Sequence, residues 1–281
     1  MKSFKIKSHA KINIALNVTG KNSKLHRIES IVSFIDLHDL IYLKKINNKN
    51  HKVSFKGSFS QNIIKMNTIT KLLRLLDEKK FLRNQKFEIK VIKNIPQKAG
   101  MGGGSMNAAS LINFFINKRI LKIKKKEMIK LTKKIGSDVI LGVKPKNSIL
   151  SSNGRIKKYD NKTKIYTLVV KPKFGCSTKY IYSKVKKYTK SQFNSPEKKM
   201  FKVDFLKNLN NDLEKIAFQK YPSLKKIKLY LSIIPNTTFV RMSGSGSAIV
   251  AYYQSKKACS DAYKQFKEKF NSHWCIISKT I

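Results

Sequence analysis

Asn-Ile-Pro-Gln-Lys-Ala-Gly-Met-Gly-Gly-Gly-Ser-Met-Asn-Ala-Ala-Ser, residues 94–110, is the stretch around which the chain is organised. Just before it, Phe87, Ile89 and Val91 alternate with polar residues, the pattern of a half-buried strand. Just after it, Ala108, Leu111, Ile112 and Phe115 recur at i, i+3, i+4, i+7, the apolar stripe of a helix. A strand, a glycine loop and a helix start in that order gather unpaired N–H groups and the positive end of a helix dipole at one point, which suits a phosphate. Gly100, Gly102, Gly103 and Gly104 let the backbone approach an anion closely. Ser105 is placed to cap the helix or to reach a phosphate or metal ion. A plain turn has no need of so many glycines and their entropic cost. The loop is not a Walker A sequence, since no Lys-Ser/Thr follows its last glycine, and Ser105 stands where the dinucleotide fingerprint has its third glycine. The absence of His-Arg-Asp and Asp-Phe-Gly argues against a protein kinase.

Working outward, Phe4, Ile6, Ala10, Ile12, Ile14, Leu16 and Val18 occupy even positions of an extended segment. Its odd face carries Lys11 and Asn13, which point the same way; Lys5 and Lys7 need be no more than solvated edge residues. A turn-rich connection from Thr19 reaches Lys24-Leu25-His26. Residues 31–43 read as strand interrupted by a turn at Asp36-Leu37-His38-Asp39. Ile69, Leu72, Leu73 and Leu76 predict a helix over residues 67–80. Met128, Leu131 and Ile135 predict another, which Gly136 would end in the left-handed conformation. Asp138 follows directly, by default a helix cap or turn former. Asn153-Gly154 signals a hairpin, and a domain boundary is placed so that residues 1–158 and 159–281 form two domains. Residues 184–200, rich in Lys, Ser and Asn, read as a mobile surface segment. Helices are expected around residues 213–218, 222–234 and 258–270, with a last strand at 274–277. The second glycine–serine loop, Arg241-Met-Ser-Gly-Ser-Gly-Ser247, is by itself as compatible with a hairpin or bulge as with an anion site.

With 281 residues, 41% hydrophobic and 27% charged, the chain is expected to form a globular protein with a sizeable core. Neither a signal-peptide core in the first ten residues nor a membrane-length apolar run is present, so the cytoplasm is the expected compartment and no membrane partner is expected. Cys176, Cys259 and Cys275 are too scattered for a disulfide framework or zinc site, and the five histidines show no metal-ligand spacing. The net charge of +46 invites a nucleic-acid reading. Yet nearly all of that charge is Lys, spread along the chain with Asn and Ile, whereas dedicated phosphate and base readers favour Arg. Compositional drift toward Lys on solvated faces is the better reading, and no specific nucleic-acid partner is expected.

Three motifs in order, Ala10-Lys11-Ile12-Asn13, the loop from Pro96 to Ala109, and Met242-Ser-Gly-Ser-Gly-Ser247, resemble those of the GHMP kinases (galacto-, homoserine, mevalonate and phosphomevalonate kinases). Ser8-His-Ala-Lys-Ile-Asn13, Leu25-His26, Gly136-Ser-Asp-Val139 and Asn211-Asp-Leu-Glu214 are similar to segments of the branch that acts on cytidine diphosphate methylerythritol. The resemblance implies an α+β, two-domain fold holding ATP and substrate in the cleft between domains. It implies that Pro96, Gln97, Lys98, Ala99, Gly100, Met101, Gly102, Gly103, Gly104, Ser105 and Met106 wrap the ATP triphosphate with Mg2+, and that the γ-phosphoryl group passes to a hydroxyl of that small-molecule substrate. Asp138 would take the hydroxyl proton, Lys11 would hold Asp138 ionised and stabilise transferring charge, and Asn13 and His26 would hold substrate. The chain departs from that branch at Met106 in place of a second Ser, at Lys24-Leu25 in place of Gly-Tyr, and at Ile140 in place of Pro. The lost aromatic ring beside His26 would have to be supplied elsewhere, with Phe174 one candidate. A homoserine or mevalonate acceptor, and a basic RNA-associated protein of related N-terminal architecture, are the competing readings. The Lys11/Asp138 pair and the second glycine loop argue against the RNA-associated protein; His26 and the triple glycine argue against the other acceptors.

Overall fold

The computed structural model describes residues 3–23, 25–160 and 164–281; Lys24, part of the connection leading to His26, lies outside them. Two compact units emerge, each assembled from separated segments. One comprises Met1–Ala10, Leu37–Pro96 and Gly102–Pro145, and the other Lys11–Asp36, Gln97–Met101 and Lys146–Ile281. The long strands β1 (Ser3–Lys21) and β2 (His26–Ile46) contribute to both, and so does the glycine loop, which changes unit between Met101 and Gly102.

In the first unit, β2 pairs antiparallel with β4 (Lys86–Ile92), Leu40 opposite Ile92, and β3 (Lys52–Lys56) runs parallel to β4 on its other side. The buried face of these strands, with Ile41, Leu43, Phe87, Ile89 and Val91, packs against α1 (Thr68–Glu78), α2 (Gly103–Asn117) and α3 (Lys125–Ile135), followed by the short α4 (Val139–Gly142). Helix α1 starts where its chemistry allows: Asn67 caps it through the N–H groups of Ile69 and Thr70, and Thr70 Oγ1 accepts from the Asn67 N–H in return. Helix α3 ends at Gly136, but in an extended conformation with φ 175°, not the left-handed one expected.

The expected turn at residues 36–39 does not form; β2 runs straight through it. Both carboxylates find partners outside their own backbone. Asp36 accepts from Ser278 Oγ and the Lys279 N–H in the second unit, and Asp39 pairs with Lys93 in the first. An Asp satisfied at long range has no reason to bend its own chain.

In the second unit, β2 pairs with β5 (Asn147–Leu150) through Ser30 opposite Leu150, and β5 forms the expected hairpin with β6 (Ile156–Tyr159) across Gly154, φ 80°. A four-stranded antiparallel sheet follows in the order β10-β7-β9-β8, from Trp274–Lys279, Tyr166–Lys171, Ile249–Tyr253 and Phe239–Met242. Its core joins Leu16 and Val18 of β1 to Leu168, Val170, Ile249 and Ala251. Helices α7 (Leu213–Lys220), α8 (Pro222–Ile233) and α9 (Lys256–Lys269) also bury residues there. Two shorter helices, α5 (Thr178–Ser183) and α6 (Val203–Leu206), flank an irregular stretch.

That stretch overturns the expectation of a mobile segment. Residues 185–197 have no helix or strand, yet Phe193 is fully buried. The Gln192 and Phe193 N–H groups donate to Glu29, Ser151 Oγ donates to the Phe193 carbonyl, and Tyr159 Oη to the Pro196 carbonyl. Lys-rich composition describes its solvated side and says nothing of the backbone, which is tied down by groups distant in sequence.

Candidate active site

The second unit holds the first half of the glycine loop, residues 97–101. Its backbone alternates through the left-handed region at Lys98 (φ 49°) and Gly100 (φ 72°), and a Cβ on Gly100 would lie only 1.9 Å from the Ser243 carbonyl oxygen. This contact of backbone on backbone joins the loop to the second glycine–serine motif. Ser243 Oγ donates to Gly100 O (3.0 Å), the Ser247 N–H to Lys98 O (3.2 Å) and the Ala248 N–H to Ala99 O (3.2 Å). The third motif joins at the same place, with the Lys11 N–H donating to Met101 O and the Asn13 N–H to Ser243 Oγ. The ambiguous C-terminal loop is therefore a brace for the central one.

Lys11 and Asn13 are buried, unlike Lys5 and Lys7 on the same strand. Lys11 Nζ donates to Asn13 Oδ1 at 2.6 Å, and Asn13 Nδ2 donates to Ser30 Oγ at 2.8 Å, which in turn donates to Ala15 O. Asn13 thereby fixes the ammonium and retains one amide hydrogen of its own.

The first unit holds the other half. Gly102, at φ 65°, is the N-cap residue of α2, and no side chain caps the helix; Ser105 lies inside the first turn instead of at the cap. The Met106 N–H closes that turn on Gly102 O at 2.8 Å, so the N–H groups of Gly103, Gly104 and Ser105 precede the helix's own bonding. Below them lies a buried ion pair. Asp39 Oδ2 accepts from Lys93 Nζ, and Asp39 Oδ1 accepts from the N–H groups of Asn94 and Ile95, both at 2.8 Å. A Cβ on Gly103 would meet Ile95 at 3.1 Å and Lys93 Nζ at 3.2 Å, so the pair supports the first turn from within.

Asp138 stands beside this turn. A Cβ on Gly136 would lie 3.5 Å from Ser105 Oγ, and one on Gly142 would run into Ala109 Cβ (2.7 Å) and Met106 Sδ (2.9 Å), so α4 packs closely on α2. Met106 is thus turned into the interior. Asp138 occupies the N-cap position of α4, but its half-buried carboxylate makes no capping bond to that helix. Asp138 belongs to the first unit and Lys11 to the second.

His26, in the second unit, has two rings for neighbours that the sequence reading missed, Tyr182 at 5.4 Å and Tyr188 at 6.5 Å between centroids. Phe174 instead stacks on Tyr221, and Leu25 is 75% exposed. Desolvation first, then the Lys21 ammonium, holds the imidazole below its ordinary value, which favours the neutral ring. Tyr182 and Tyr188 carried no sequence signal beyond being aromatic, because their proximity to His26 depends on where the short helix α5 and the irregular segment after it are placed. Among the described residues no three His, Cys, Asp or Glu side chains form a metal-binding group, and no helix is long and apolar enough to cross a membrane.

Residues 67–145 match the GHMP kinases N terminal domain. Over its full length the chain is 67% identical to the 4-diphosphocytidyl-2-C-methyl-D-erythritol kinase of Pelagibacter ubique, all of which it covers. It is 30% identical to the Clostridium tetani enzyme of the same name, covering 99% of this chain and 100% of that one. A crystal structure of 4-(cytidine 5'-diphospho)-2C-methyl-D-erythritol kinase superposes with TM-score 0.78 at 19% identity, covering 99% of this chain and 100% of that one. Homoserine kinase from Cytophaga hutchinsonii follows at TM-score 0.73 and 14% identity, covering 100% of this chain and 95% of that one; at such identity the likeness is one of fold.

Proposed function

Because the chain belongs to the family of 4-diphosphocytidyl-2-C-methyl-D-erythritol kinases, within the GHMP kinases, we propose that Asp138, Lys11 and the loop of residues 96–106 carry that family's reaction here. The chain is an ATP-dependent small-molecule kinase of the GHMP fold, phosphorylating a hydroxyl of 4-diphosphocytidyl-2-C-methyl-D-erythritol on the non-mevalonate route to isoprenoid precursors. The observation that carries the residue assignment is the first turn of α2, whose N–H groups at Gly103, Gly104 and Ser105 open beside the turn bearing Asp138.

Phosphoryl transfer asks for alignment and charge stabilisation more than for covalent help from the protein. The open N–H groups and helix dipole hold the triphosphate, and residues 96–101 continue the cradle, kept in shape by Ser243 and its neighbours. Asp138, at the start of α4 beside the first turn of α2, accepts the proton of the attacking hydroxyl. Lys11, aimed by Asn13, stabilises charge on the transferring group, and the remaining Asn13 amide hydrogen is available to substrate. Ser105, in the first turn of α2 among the open N–H groups, offers a hard hydroxyl oxygen of the kind Mg2+ accepts alongside phosphate oxygens and water, and it fits that ion. Held there by Ser105 and the phosphate oxygens themselves, Mg2+ would neutralise charge on the triphosphate. At the other end of the substrate, neutral His26 reads the cytosine edge while Tyr182 offers it a face. The homoserine and mevalonate readings have likeness of fold alone behind them.

The test is Asp138→Asn, which keeps shape and removes the base. Turnover should fall by about 10²–10⁴-fold with the KM for ATP unchanged, as for loss of a general base. Turnover within threefold of wild type would make Asp138 a turn residue only.

A further inference from the structure

Glu29 is completely buried on β2, and its carboxylate is fully engaged by groups from two other places in the second unit. Asn17 Nδ2 donates to Oε1 at 2.8 Å and the Gln192 N–H to the same oxygen at 2.8 Å; Ser191 Oγ donates to Oε2 at 2.7 Å and the Phe193 N–H at 3.0 Å. Four donors converge on one carboxylate, and three of them come from residues 191–193. A second acid secures the preceding residues. Asp212 Oδ2 accepts from Thr189 Oγ1 and from the Val18 N–H, both at 2.7 Å, while the Thr189 N–H donates to Val18 O at 2.9 Å. The strap of residues 189–193 thus lies against β1 without joining it as a strand. Directly ahead of this anchored strap comes Tyr188, 48% exposed, its ring 6.5 Å from His26 and tilted 55° to it.

Nothing in the strap's own sequence would hold it there. Its neighbours Lys186, Lys187 and Lys190 are exposed and repel one another, and the irregular backbone has no ladder to complete. The two carboxylates supply the missing acceptors. The consequence reaches Tyr188, whose exposed ring stays near the imidazole only as long as the strap keeps its place.

We propose that Tyr188 is a specificity-determining residue that covers the base of the cytidylyl substrate, and that Glu29 is its positioning residue, acting through residues 189–193. The proposal rests on His26 as the cytosine contact. A planar base beside His26 comes within reach of the rings of both Tyr182 and Tyr188, and stacking on an aromatic face needs no base-specific hydrogen bond. A carboxamide at position 29 would keep the size of Glu29 but turn one acceptor oxygen into a donor facing N–H and O–H donors. The strap would loosen while the glycine loop and its brace, which Glu29 does not touch, stay as they are.

Steady-state kinetics of Tyr188→Ala, Glu29→Gln, Glu29→Asp, the Glu29→Gln/Tyr188→Ala double variant and His26→Ala test this together. Tyr188→Ala should raise the KM for the cytidylyl substrate about tenfold, in line with loss of one stacked face, with kcat and the KM for ATP within twofold of wild type. Glu29→Gln should raise the same KM alone, Glu29→Asp should restore part of it, and Glu29→Gln should add nothing once Tyr188 is Ala. A Tyr188→Ala enzyme with unchanged KM overturns the proposal, and since Tyr188 is a surface residue that variant tests it even if Glu29→Gln does not fold. Additive effects of Glu29→Gln and Tyr188→Ala overturn the positioning role. If His26→Ala raises the cytidylyl KM while Tyr188→Ala does not, the base site stands and this inference falls. If His26→Ala also leaves that KM unchanged, both fall.

Discussion

Replacing Gly100 by Ala should be among the most damaging single-methyl changes available to this enzyme. The added Cβ would lie 1.9 Å from the Ser243 carbonyl oxygen, so the two backbones must part by about 1.5 Å to reach ordinary contact. Parting strains or breaks the bonds from Ser243 Oγ to Gly100 O, Ser247 N–H to Lys98 O and Ala248 N–H to Ala99 O. At roughly 0.5–1.5 kcal/mol net each, their loss costs about 2–4 kcal/mol. Holding an alanine at φ 72° adds about 1–2 kcal/mol. The expected destabilisation is therefore about 3–6 kcal/mol, read from urea unfolding, with a raised KM for ATP in whatever fraction remains folded. Gly154 provides the control, since its φ of 80° is equally left-handed but a Cβ there meets nothing within 4 Å. Gly154→Ala should cost only the conformational share, about 1–2 kcal/mol. Equal destabilisation by the two variants, with ATP binding intact in Gly100→Ala, would refute the brace.

The KM for the cytidylyl substrate should depend on pH through His26. Its imidazole is held below the ordinary 6.5, so it is neutral at pH 7 and charges only as pH falls below that value. A bound base desolvates the ring further and opposes protonation, so KM should stay flat above about pH 6.5 and rise by up to tenfold per pH unit below the folded-state value. His26→Gln should abolish the rise; a KM that climbs instead toward alkaline pH would contradict the neutral-ring reading. Asp39→Asn strands the Lys93 ammonium in the interior and should cost about 3–5 kcal/mol in denaturant unfolding, much of it recovered in Asp39→Asn/Lys93→Met, where no buried charge remains. A double variant no more stable than the single one would show that the pair is not what supports the turn.

Local chemistry was legible wherever its partners lie close in sequence. The apolar stripe of Ile69, Leu72, Leu73 and Leu76 announces α1, and that of α2 appears directly in Ala108, Leu111, Ile112 and Phe115. The glycine loop was legible for the same reason, its four glycines lying side by side. Misreadings arose where a polar residue is answered from far away. Asp36 and Asp39 look like turn formers until Ser278 and Lys93 are placed beside them, and residues 184–200 look mobile until Glu29 and Ser151 are. Strand β7 was missed because Leu168-Val169-Val170 is a short continuous apolar run, which has no periodicity to declare it. Gly142, which passed without remark in the sequence, lets α4 lie on α2, a requirement visible only once Met106 and Ala109 are seen against it.

The same long-range pairings explain how so basic a chain keeps a defined architecture. Sixty-one Lys and Arg face only 15 Asp and Glu, so most cations have no anion to pair with and must be solvated. The scarce acids are not spent evenly on that surface. Asp39 accepts from the N–H groups leading into the glycine loop, Glu214 from the Met242 N–H leading into its brace, and Asp212 from Val18. Glu29 accepts from the strap beneath Tyr188, and Asp36 from Lys279. Each is an acceptor for backbone donors that no ladder satisfies. Lys, with three donors and no acceptor, cannot take that place. On a solvated helix face one Lys more changes little, but at these five positions it would set donor against donor and leave N–H groups unpaired, at about 1–3 kcal/mol where they are buried. The drift toward Lys thus has a physical limit, and it falls in large part on the carboxylates that hold the arms of the site.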